Sequence, residues 1–97
     1  KPAMIVAVSS GTGGSYPVQE LRGSSYKNSR ILYIPDHVII RHAEQLLNSD
    51  APVSGSDDEA VQKRLHYSLS ILNEYSKALK SVRESALLNY KDFPFGA

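Results

Sequence analysis

A continuous apolar run near the start of the chain, closed at once by glycines, constrains the fold more than any other feature. Residues 3–8 read Ala-Met-Ile-Val-Ala-Val, without the alternation of a strand that has one face in water. Three glycines follow within residues 11–14. A run of this length with a glycine stop is typical of a parallel-sheet strand that is covered on both faces. A short buried helix is the alternative, and we predict the strand.

The next elements alternate between helix and strand. A weak helix is predicted to begin with Ser15 as N-cap, and to lose its apolar pattern at Gly23. Residues 30–35 are predicted to form a second strand, which Pro35 ends or places at a sheet edge. The other possibility is that residues 38–40 extend the strand after a bend at Asp36 and His37. One or two helical turns are expected at 42–47, before a loop at 48–56. This order predicts an α/β fold with an open parallel sheet, of which the chain holds two β–α units.

The clearest helix signal begins at Ser56. Ser56 and Glu59 have the spacing of a capping box, and Asp57 and Asp58 suit the positive end of a helix dipole. From there apolar residues recur every three or four positions as far as Ala86, which predicts an amphipathic helix of seven or eight turns. Residues 89–97 are predicted to be an irregular tail, with aromatic side chains that either dock on a neighbour or stay mobile.

Composition excludes several classes of function. The 97 residues suffice for one small domain. A net charge of +1 argues against nucleic-acid binding, and no apolar run approaches the length of a membrane span. The absence of cysteine excludes disulfides and thiolate chemistry, and the opening residues do not fit a signal peptide. The histidines His37, His42 and His66 have no metal-ligand spacing, so we expect no metal site.

The loop at residues 9–14 is the best functional candidate, because ligands of open α/β sheets bind beyond the carboxyl ends of the strands. It lacks the lysine of a phosphate-binding P-loop, the G-x-G-x-x-G spacing of a dinucleotide site and the G-x-S-x-G of a nucleophile elbow. What remains is a loop in which glycines at positive φ allow close approach. Its N–H groups and hydroxyls suit a flat ligand with carbonyls on its ring edge. A plain glycine turn is the alternative.

Residues 1–22, KPAMIVAVSSGTGGSYPVQELR, resemble the fourth strand, loop and next helix of the NAD(P)H-dependent FMN reductases, flavodoxin-like quinone and azo-dye reductases. Residues 33–46 resemble the fifth strand and the segment after it, and residues 57–65 the start of the last helix. The resemblance covers about residues 1–80. Residues 1–88 would therefore be the carboxyl-terminal portion of a flavodoxin-like domain, and residues 89–97 have no family counterpart.

The resemblance implies FMN as the cofactor, NADPH or NADH as the electron donor, and a quinone, azo or flavin-type acceptor. The flavin contacts implied by the family are Ser9, Ser10, Gly11, Thr12, Gly13 and Gly14. No catalytic acid, base or nucleophile is expected, because the cofactor carries the chemistry. A cytoplasmic homo-oligomer without nucleic-acid or membrane partners is also implied.

This sequence departs from the family pattern in ways that keep other functions open. The first three strands and the family's phosphate-binding loop are absent, so about 80–100 further residues upstream are expected, and the chain alone is expected to be inactive. The alternatives are a flavodoxin-like binding or oligomerisation module without catalysis, and a small α/β scaffold whose long helix pairs with a partner.

Overall fold

The computed structural model describes residues 1–25 and 28–96. Its elements are β1 (Pro2–Val8), α1 (Ser15–Ser24), β2 (Leu32–Ile40), a single 3₁₀ turn (Ala43–Gln45), α2 (Asp57–Ala78) and α3 (Lys80–Arg83). The two strands form one parallel sheet, which confirms a small α/β structure. Tyr26 and Lys27, in the segment after the first predicted helix, and Ala97, the last residue of the predicted tail, lie outside the described residues. None of the described helices is long and apolar enough to cross a membrane.

Strand β1 contacts both α1 and α2, but only one of its faces is buried. Ile5 and Ala7 are buried and form a cluster with Val18 of α1. Val6 and Val8 point to the opposite face and are 43% and 60% exposed. The prediction of a strand is confirmed, whereas the prediction that both of its faces are covered is wrong for the described residues. The reason is that α2 packs more extensively on β2 than on β1.

Strand β2 runs through Pro35 as a bulge, so of the alternatives for this segment the extension to Ile40 is the one observed. Ala3 pairs with Tyr33, but Ile5 pairs with His37, so β2 carries two extra residues between these pairs. The ladder bonds lost at the bulge are replaced from α1. Nη2 of Arg22 donates to the carbonyl oxygens of Ile34 and Pro35, both at 3.0 Å.

The start of α2 is capped much as the sequence predicts. Oγ of Ser56 accepts from the amide of Glu59 at 3.2 Å. The second hydrogen bond of the capping box, from the Ser56 amide to the Glu59 carboxylate, is not formed. The carboxylate instead accepts from the amide of Gly55 and pairs with Lys63 at 2.7 Å. Lys63 first, and the Gly55 amide second, lower the pKa of Glu59 below its ordinary value. The carboxylate therefore stays charged beside the helix N-terminus, where it is favoured.

Helix α2 is shorter than predicted. It has 22 residues, about six turns, and Leu79 separates it from the four-residue α3. Leu79 has ψ of 2°, far from the helical value, while its amide still reaches the carbonyl oxygen of Tyr75 at 2.9 Å. The periodic apolar pattern therefore continues past the point where the helix is interrupted. Periodicity alone does not reveal this interruption.

The carboxyl-terminal tail folds back onto Arg30. Its guanidinium donates to the carbonyl oxygens of Phe93, Pro94 and Phe95, and lies 4.7 Å from the centroid of the Tyr90 ring. The rings of Phe93 and Phe95 remain about two-thirds exposed, at 68% and 66%. Of the two alternatives for the tail, docking is the one observed, and it uses the backbone and Tyr90 rather than the phenylalanines.

Ser68, in the middle of α2, is fully buried, and its hydroxyl has no hydrogen-bond partner among the described residues. Ser68→Ala is therefore expected to raise the free energy of unfolding by about 1 kcal/mol, because an unpaired buried hydroxyl is removed. Urea unfolding measures it. Ser70→Ala is the control, since the exposed Ser70 hydroxyl is paired with the His66 carbonyl, and its removal gains helix propensity but loses that hydrogen bond. Equal gains in both variants would contradict the prediction.

Candidate functional site

The glycine-rich loop after β1 lies at the carboxyl edge of the sheet and is tied to the end of β2. The Ser9 amide donates to the Ile40 carbonyl at 2.9 Å. The amides of His42 and Ala43 donate back to the carbonyls of Gly11 and Ser9, at 3.2 and 3.1 Å. The loop is thus held at the place where both parallel strands end, the usual position of a ligand in such sheets.

Four consecutive amides that precede the buried Gly14 in this loop are unused by the fold. Within residues 1–25 and 28–96, the N–H groups of Ser10, Gly11, Thr12 and Gly13 donate no hydrogen bond. The loop keeps its shape through its own polar groups instead, since Oγ of Ser9 donates to the Gly11 carbonyl at 2.9 Å. Ser10, Thr12 and Gly13 are exposed. The loop therefore presents a row of donors to solvent or to a ligand with carbonyl or anionic groups.

The glycines of the loop differ in what they do. Contrary to expectation, none of Gly11, Gly13 and Gly14 has a positive φ. Gly14 is buried, and a Cβ there would collide with Cγ2 of Ile39. A Cβ at Gly13 would meet only the Tyr16 ring at 3.8 Å, and one at Gly11 would meet nothing within 4 Å. Gly14 is thus required by the fold, whereas the positions that a Cβ would take at Gly11 and Gly13 are open space beside the loop.

Helix α1 begins directly at this loop. Its N-cap is Gly14, not Ser15 as predicted, because the close contact of Gly14 with β2 sets the start of the helix one residue earlier. No acidic side chain lies in the first turn of α1. The positive end of the helix dipole therefore adds to the potential of the free amides and is not neutralised locally.

The six residues predicted to contact the flavin, Ser9 to Gly14, make up the loop between β1 and α1, and the structure places beside them a residue that sequence reasoning missed. His42 is an exposed side chain whose backbone adopts φ of 51°, a conformation uncommon for residues other than glycine. Its amide anchors Gly11. No sequence signal marks such a backbone conformation at a histidine. The structure also shows no group of three metal-ligating side chains in residues 1–25 and 28–96.

Comparison with known proteins adds no relative to this geometry. No family model matches the chain, and neither a curated protein nor a solved structure matches it. Its function must therefore be inferred from the loop at the carboxyl edge of the sheet and from the resemblance of its sequence.

Proposed function

We propose that the chain is the carboxyl-terminal, flavin-contacting part of a flavodoxin-like NAD(P)H-dependent FMN reductase. The reaction is hydride transfer from NAD(P)H through FMN to a quinone, azo or flavin-type acceptor. The observation that carries the proposal is the row of four unused amides at Ser10 to Gly13, held at the carboxyl edge of two parallel strands. The sequence resemblance supplies the identity of the ligand.

The loop fits the edge of an isoalloxazine ring. That ring is flat, and its pyrimidine side carries carbonyl and ring-nitrogen acceptors, which need donors in or near its plane. The open space at Gly11 and Gly13 lets such an edge come within hydrogen-bond distance of the backbone. A side chain larger than hydrogen at Gly13 would stand in that space. The exposed Tyr16 ring lies beside the same position and offers an aromatic surface.

The chain's own residues bind and polarise the ligand. Bound FMN supplies the redox chemistry, which no side chain of this chain provides. The amides of Ser10 to Gly13 and the N-terminus of α1 favour negative charge at the ring edge, as backbone donors do for oxyanions. Because these groups are fixed by the hydrogen bonds to Ile40, His42 and Ala43, they need no rearrangement when the charge on the ring increases.

Gly13→Val is expected to weaken FMN binding by the full-length protein about tenfold or more, because the valine side chain occupies the space in front of the free amides. The fold tolerates a Cβ at this position, so stability is expected to change little. Flavin fluorescence titration gives the affinity. Gly23→Val in α1 is the matched control, since it also has open space around it and lies away from the loop.

The same titration separates the alternatives. Equal FMN affinity in Gly13→Val and Gly23→Val would contradict the role of the loop. A wild-type protein that takes up no FMN would contradict the reductase altogether. FMN binding without oxidation of NADH or NADPH in the presence of a quinone would instead favour a flavodoxin-like binding module without catalysis.

A further inference from the structure

Beside the glycine-rich loop, a recess lies between the outer edge of β2 and the first turns of α2. It consists of two adjoining cavities of about 320 and 350 Å³. Both are lined by Ile39, Arg41, Ala60 and Val61. We call this recess the Arg41 groove. None of the six predicted flavin contacts lines it.

Arg41 is the cation of this groove that is available to a ligand. Its side chain is exposed and makes no hydrogen bond or ion pair with any residue of 1–25 or 28–96. Arg64, on the α2 side, pairs with Asp36 at 3.0 Å and stays half exposed. Asp57 lines only the cavity nearer the start of α2. The cavity between Arg41 and Arg64 therefore favours an anion.

The free edge of β2 adds backbone donors to the same place. The Ile40 carbonyl faces β1, where it accepts from Ser9. Because peptide groups alternate along a strand, those of Ile39 and Arg41 face away from β1, toward the groove. The described sheet has no strand on that side. The edge therefore offers two amide donors to a phosphate oxygen beside the Arg41 guanidinium, and the carbonyl oxygens of the same two residues accept from ligand hydroxyls.

The groove and the glycine-rich loop are neighbours. Ile39 lines the groove, and its Cγ2 is the atom that approaches Gly14. His42 lines the groove, and its amide donates to the Gly11 carbonyl. The two sites therefore adjoin at the end of β2, and apolar side chains such as Val61 give an adenine or ribose a surface to pack on.

We propose that the Arg41 groove binds the phosphate groups of the nicotinamide dinucleotide that donates hydride at the loop. This assignment rests on the proposed function, because it is the reductase reaction that requires such a donor. Arg41 is accordingly a residue of substrate binding and not of catalysis. It acts on the affinity for NADPH or NADH without touching the flavin.

The test compares Arg41→Gln with wild type in the full-length protein, using two electron donors. The KM for NADPH is expected to rise about tenfold. The rate with 1-benzyl-1,4-dihydronicotinamide, which carries no phosphate, is expected to stay the same. Arg41→Lys should recover part of the loss. Arg83→Gln is the charge-matched control, because Arg83 lies outside the groove and contacts the Ser76 carbonyl.

A binding measurement keeps the test independent of turnover. Calorimetric titration of wild type with ADP-ribose should show binding that Arg41→Gln weakens about tenfold and that salt weakens as well. No binding to wild type, or equal binding by both proteins, overturns the assignment. Arg41→Gln that weakens FMN but not riboflavin overturns it too, since the groove then holds the flavin phosphate. Binding of ADP-ribose through Arg41 by a protein that takes up no flavin supports the groove and contradicts the reductase.

Discussion

Gly14→Ala is expected to lower the free energy of unfolding by about 2–3 kcal/mol, because the new methyl group collides with Cγ2 of Ile39. Gly14 is buried between the loop and β2, so neither partner can move away freely. Two hydrogen bonds hold the loop and the end of β2 together near the contact. The Ser9 amide donates to the Ile40 carbonyl oxygen, and the His42 amide donates to the Gly11 carbonyl oxygen. Urea unfolding followed by circular dichroism measures the change.

A glycine-to-alanine substitution in helix α1 is expected to raise the free energy of unfolding rather than lower it. Gly23→Ala in α1 has nothing within 4 Å of the new methyl group, and alanine is a better helix former than glycine. A gain of about 0.5–1 kcal/mol is expected there. Combining Gly14→Ala with Ile39→Ala should make the Gly14 change less costly than it is alone, since the colliding atom is removed. Additive costs in the double variant would show that the contact is not the cause.

Arg22→Met is expected to cost about 2 kcal/mol of unfolding free energy, because the carbonyl oxygens of Ile34 and Pro35 lose their charged donor at the bulge. Methionine keeps most of the aliphatic stem, so the loss reports the guanidinium rather than packing. Ile34 is among the most buried residues of the protein, at 1% exposure, and the damage should reach the core beneath α2. Urea unfolding measures it.

Two further variants test the reason. Arg22→Lys should recover part of the stability, because one ammonium group can still donate to both carbonyls. Arg41→Met removes an exposed arginine that makes no hydrogen bond or ion pair with the described residues, and a change within about 0.5 kcal/mol is expected. If Arg22→Met and Arg41→Met prove equally mild, the guanidinium does not hold the bulge together.

Local patterns predicted the elements well and their surroundings less well. The apolar run at residues 3–8 and the Ser56 cap predicted β1 and the start of α2, because each depends on neighbouring residues alone. The exposure of Val6 and Val8 depends on where α2 lies over the sheet, which no local pattern contains. The bulge in β2 was predicted only as a bend, because its carbonyl oxygens are paired with Arg22, which lies more than ten residues away in sequence.

The candidate site shows the same division. Its loop was predicted from glycine content and from its place after a strand, and the structure keeps those residues together at the sheet edge. The sequence does not distinguish Gly13 from Gly14. The structure does, because Ile39 leaves no room for a Cβ at Gly14 whereas a Cβ fits at Gly13. Arg41 carries no motif, and its proposed role depends on α2 closing a recess against the outer edge of β2.

The number of residues inserted at the bulge in β2 decides on which face of the sheet each later side chain of the strand lies. Two residues are inserted opposite Met4, and two is the period of side-chain alternation along a strand. The side chains of Tyr33 and His37 therefore lie on one face of the sheet, and those of Ile34 and Val38 lie on the other. This holds although the hydrogen-bond register shifts by two residues between the members of each pair. An insertion of one residue would have exchanged inside and outside for the whole second half of the strand. Even parity lets this strand vary in length while its hydrophobic face stays inside.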